Sequence, residues 1–79
     1  MEISIKNFYD ENSMKYVGFK IKQDGNTLAI DKQVPLVDGK TNEQYVQEAL
    51  ALCQAEIEDW KNSFALVGKK WNLETGSFE

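Results

Sequence analysis

The chain has 79 residues, a formal net charge of −4, no histidine and one cysteine, Cys53, and all nine of its basic residues are lysine. Missing histidine removes the commonest general base and the commonest metal ligand. A lone cysteine excludes an intrachain disulfide and fits a reducing compartment. Missing arginine removes the side chain best shaped to grip phosphate and guanine.

A chain of this length makes one domain, residues 1–79, with a small core that must pack well or associate. It has no run of about 18 apolar residues to span a membrane. The opening "MEISIKNF" has no apolar signal-peptide core, so a cytoplasmic location is expected. Residues 1–40 hold six lysines and six acids, whereas residues 41–79 hold three lysines and seven acids. The acidic second half reads as a solubility device or as a face for a basic partner.

"MEISIKN" alternates strictly, with Met1, Ile3 and Ile5 on one side and Glu2, Ser4 and Lys6 on the other. That is a half-buried strand. "YDENS" supplies turn residues. "MKYVGFKIKQ" resumes the period of two, with Val17, Phe19 and Ile21 inward and Tyr16, Gly18, Lys20 and Lys22 outward. Asp24-Gly25 is a strong hairpin signal, because a type I′ turn needs positive φ at both central residues. "TLAIDKQV" places Leu28, Ile30 and Val34 inward, but Lys32 falls on the same side. A bulge at 31–33, or the end of the strand there, is expected to resolve that conflict. Pro35 marks a strand end or a sheet edge. Residues 1–36 thus form a three-stranded antiparallel meander.

After the turn "LVDGK", Thr41 and Gln44 make a capping-box pattern, with Glu43 in the first turn. One helix is expected over 41–67, with Gly68 as its stop. Its large apolar residues and Cys53 form a heptad seam: Val46, Leu50, Cys53, Ile57, Trp60, Phe64 and Val67. A seam this short also suits a helix that covers a sheet. The rod is expected unbroken, including near Gln54. At roughly 37 Å it outreaches a six-residue strand of about 20 Å. Its Trp60–Phe64–Val67 end should therefore overhang. Residues 69–79 read as a short strand or tail, with Trp71 and Leu73 alternating as in a strand and "ETGS" as a turn, that either folds back over that end or leaves it for a second copy. The fold class is α+β, in the order β-β-β-α-β.

No catalytic, metal or cofactor motif emerges. Glu56, Glu58 and Asp59 read as a solvated helix face, and "VGKKW" lacks the first glycine and the Ser/Thr of a phosphate loop. The expected function is non-enzymatic binding of another protein. The candidate surfaces are the aromatic end (Trp60, Phe64, Trp71, Phe78) and the acidic helix face (Glu48, Glu56, Asp59), with self-association as a further expectation. Two alternatives stand beside it. The outward face of the sheet (Lys6, Tyr16, Lys20, Lys22) would bind nucleic acid weakly. The acidic face would imitate phosphates and block a nucleic-acid enzyme.

Residues 38–79 resemble the C-terminal half of short uncharacterised proteins encoded by tailed bacteriophages. The resemblance is carried by Asp38-Gly39-Lys40-Thr41, Trp60, Val67-Gly68-Lys69, Trp71-Asn72, Glu74-Thr75 and Ser77-Phe78-Glu79. It implies a viral accessory protein in a bacterial cell, and it assigns no catalytic residue.

Overall fold

The computed structural model describes all 79 residues. Three ten-residue strands, β1 (Glu2–Glu11), β2 (Met14–Gln23) and β3 (Asn26–Pro35), form an antiparallel sheet in the order β1-β2-β3. Two helices follow, α1 (Asn42–Leu52) and α2 (Gln54–Ala65), then a hairpin of β4 (Trp71–Asn72) and β5 (Ser77–Phe78). The meander and the α+β class agree with the sequence. The single long helix does not, because the rod is interrupted at Cys53.

Both hairpin turns of the meander are two residues long. Asn12 and Ser13 have φ of 52° and 63°, and Asp24 and Gly25 have 53° and 78°. Positive φ at both positions matches the right-handed twist of the strands. β1 runs further than its alternation suggests because the register shifts between Ile5 and Asn7, leaving Lys6 as an extra residue. The bulge resets the phase. Ile3 and Ile5 face inward before it, and Phe8, opposite Val17, faces inward after it. The sequence places a bulge, or the end of the strand, at 31–33 of β3 instead. β3 pairs with β2 without a break through Pro35, and Lys32 opposite Val17 does point to the helix side. It is accommodated by an ion pair with Glu56 of α2.

The helices lie over β2 and β3 and do not pack on β1. The core consists of Val17, Phe19, Ile21, Ile30, Val34, Tyr45, Ala49, Cys53 and Ile57. On the helices this is a row at every fourth residue, not the heptad seam. Val46, Leu50 and Trp60 are only partly buried beside it, and Val67 is exposed. Small Ala49 lets the helix approach the sheet. Tyr45 sits at the rim of the core, where its hydroxyl bonds both the N–H and the C=O of Val37, each at 3.0 Å. That ties the β3–α1 loop to the helix. The capping box forms as expected, with the Thr41 hydroxyl accepting from the Gln44 N–H and the Gln44 side chain accepting from the Thr41 N–H.

The helix break has a local cause. The Cys53 thiol donates to the Ala49 carbonyl at 3.3 Å, and the Gln54 side-chain amide donates to the Leu50 carbonyl at 3.3 Å. Side chains thus engage the carbonyls that the N–H groups of residues 53 and 54 would use in a regular helix. The Cys53 N–H bonds Leu50 in a tighter turn instead. The break also places Glu56 in the first turn of α2, where a carboxylate suits the helix dipole, rather than late in a long helix.

Ten-residue strands span about 33 Å, nearly the length of the two helices, so less of the helix overhangs than six-residue strands implied. What projects is the C-terminal hairpin, which packs against neither the sheet nor the helices. The molecule is consequently long, 58 × 22 × 17 Å, with a radius of gyration of 17.1 Å. A compact chain of this length would have about 12 Å.

Candidate functional site

The projecting hairpin is built by its own short-range bonds. The Asn72 side-chain oxygen accepts from the N–H groups of Glu74 at 2.9 Å and Thr75 at 3.2 Å. The Gly76 N–H donates to the Asn72 carbonyl, and Gly76 takes a φ of 66° that a residue with Cβ rarely adopts. At the open end the Glu79 N–H closes onto the Lys70 carbonyl. Trp71 and Phe78 are cross-strand partners and meet edge to face, with centroids 5.1 Å apart. The hairpin therefore has folded backbone and unburied side chains: Trp71 is 53%, Phe78 48% and Leu73 89% exposed. The alternation of Trp71 and Leu73 suggests a strand, but β4 ends at Asn72. Leu73 lies in the turn instead, and its period-two spacing gave no sign of that.

The other half of the aromatic end sits apart from this pair. Trp60 and Phe64 make their own edge-to-face contact at 4.9 Å on α2, and Trp60 leans on the core. Phe64 and Val67 line an open cleft against Gln23, Asp24 and Asn26 of the β2–β3 turn. The four aromatics form two pairs, one half-covered on the body and one free on the hairpin.

The acidic face is less free than its composition suggests. Lys40 pairs with Glu48, Lys32 with Glu56 and Lys61 with Glu58, the last at 3.6 Å. Of the three proposed acidic contacts, Glu48 and Glu56 are engaged within the chain, and Asp59 makes no ion pair. Glu56 stays exposed on the solvated helix face, and its carboxylate meets Lys32 at the helix–sheet boundary. The hydrogen bond to the Glu56 carboxylate holds the Lys32 ammonium above its ordinary pKa, against the opposing effect of desolvation. Close by, burial pushes the Cys53 thiol up, with Lys32 pulling the other way.

The outward face of the sheet mixes both signs. Lys6 reaches across Gly18 to Asp31 at 3.3 Å. Gly18 leaves room for that pair, since a Cβ there would stand 2.5 Å from the Asp31 oxygen and 3.0 Å from the Asn7 amide nitrogen. Lys20 and Lys22 are exposed opposite Ser4 and Glu2. Tyr16 stacks on Tyr9 with centroids 5.0 Å apart. Tyr9 escaped sequence reasoning because the Lys6 bulge shifts it onto this face. Glu2, Glu11 and Asp31 balance Lys6, Lys20 and Lys22 across the face, so the lysines do not add up to a basic patch.

No helix is long and apolar enough to cross a membrane. No family model, no curated protein and no solved structure matches this chain.

Proposed function

We propose that this chain is a non-catalytic interaction protein that binds another protein through its C-terminal hairpin. The observation that carries the reading is a hairpin with its turn closed by hydrogen bonds and with Trp71, Leu73 and Phe78 open to solvent, attached to no other element. Contiguous exposed apolar groups on a small protein mark contact sites, and tryptophan is over-represented among residues that dominate binding. The edge-to-face pair holds both rings before a partner arrives, which lowers the ordering cost of association. Trp60 and Phe64 on α2 form a second, separate aromatic pair on the body. The resemblance of residues 38–79 to bacteriophage proteins supports a viral accessory role in the host cytoplasm.

The test is capture from bacterial host lysate with tagged wild-type chain, followed by affinity measurement on the captured partner. Trp71→Ala and Leu73→Ser should each weaken binding by about thirty-fold, as expected of dominant contacts. The melting temperature of the α/β body should stay unchanged. Full affinity in both variants, or no specific capture, would contradict the reading.

A further inference from the structure

The inner face of β1 before the bulge is the second apolar surface the fold leaves bare, whereas Phe8 after it packs against the core. The helices cover β2 and β3 only, and Ile3 and Ile5 remain 41% and 46% exposed on the helix side of the sheet. β1 is also an edge strand. The other edge, β3, carries the common safeguards against strand addition, an inward-pointing charge at Lys32 and Pro35 at its end. The stretch Glu2–Ile5 carries neither.

We propose that β1 pairs with β1 of a second copy of this chain, antiparallel about a two-fold axis at Ser4, giving a continuous six-stranded sheet. The extra residue at Lys6 kinks β1, so straight pairing along its free edge runs from Glu2 as far as Lys6 and no further. Keeping the isoleucines of both copies on one face requires residues of like parity to oppose each other. With Ser4 opposite Ser4, Ile3 lies opposite Ile5 and Glu2 lies opposite Lys6, each pair occurring twice. Glu2 makes no ion pair within its own chain, and Lys6, on the same face, has only the exposed Asp31. Shifting the axis to Ile3 or to Ile5 loses the Glu2–Lys6 pairing. The charge balance of the whole chain points the same way. Residues 1–40 are neutral, and the −4 sits in residues 41–79, which this arrangement keeps away from the seam.

Pairing over five residues falls below the roughly 1,200 Å² of a stable interface, so the dimer is weak and concentration-dependent. This surface is separate from the hairpin, and the two readings stand or fall separately. Sedimentation equilibrium from about 10 μM to about 1 mM covers the range of such contacts. The wild-type chain should pass from monomer to dimer. Glu2→Lys and Lys6→Glu should each weaken the dimer about ten-fold, and the double variant should restore it. Lys6→Glu also loses the Asp31 pair, so restoration in the double variant is the discriminating result. Ile5→Lys should abolish dimerisation, with circular dichroism confirming the fold. Three results would overturn the proposal: a monomer at every concentration, a dimer indifferent to these charges, or a dimer lost in Trp71→Ala, which would mean that the copies meet through the hairpin.

Discussion

Lys32 stands where an alternating strand would place an apolar side chain, and it is retained because Glu56 meets it at the edge of the core. Alternation alone put it inward and could not supply its partner, which lies 24 residues away on another element. A pH dependence follows. Lys32 is held protonated by Glu56, so its folded pKa exceeds its unfolded one. Its contribution is complete below about 10.4 and fades as the pH rises through the raised value. Cys53 acts in the same direction at lower pH. Burial raises its pKa in the fold above the value near 8.5 of the unfolded chain, so its contribution is complete below that value and declines as the pH rises through it. Melting temperatures measured from neutral to alkaline pH should begin to fall near 8.5. In Cys53→Ala that onset should move to the lysine range, and an unchanged onset would contradict the assignment. Gly18 was legible as an outward strand residue, but its purpose was not, because the Lys6–Asp31 pair that crosses it joins strands on either side. Gly18→Val should push the exposed Asp31 carboxylate aside and break its pair with Lys6, changing stability by less than about 1 kcal/mol in chemical denaturation. A loss well above that would mean that Asn7 and the backbone beside Gly18 cannot give way.

At the scale of elements, the sequence located the meander and the N-terminus of α1 well, because two-residue turns and a capping box are local signals. Thr41→Ala removes one half of that box and should cost about 1 kcal/mol in denaturant titration. A change within error would mean that packing alone starts the helix. The interruption at Cys53 was not legible. No Gly or Pro marks it; it arises from a thiol and an amide bonding carbonyls one turn back. The buried row was misplaced for a related reason. Counting large apolar residues favoured Val46 and Leu50, while the sheet is approached through Tyr45 and Ala49, a ring at the rim and a methyl at the centre. The bulge at Lys6 similarly concealed Phe8 and Tyr9, since one extra residue reverses every later side chain.

At the scale of the molecule, nine buried apolar side chains hold a three-stranded sheet under two helices, and a hairpin extends from the end of that body. Trp60 and Phe64, at the overhanging end of the expected seam, were grouped with Trp71 and Phe78 of the tail as one aromatic end. Their division into a half-covered pair and a free pair was not legible, because it depends on where residues 66–70 direct the chain. The same route exposes Leu73. The acidic and basic surfaces looked stronger in sequence than in space, since Glu48, Glu56 and Lys6 find partners within the chain that no linear spacing reveals. The central claim is that the hairpin stands clear of the body as a folded tip. Small-angle X-ray scattering on dilute monomer tests it most directly. The expected result is a radius of gyration near the 17.1 Å of the structure. A compact particle near 12 Å would place the hairpin against the body and contradict it.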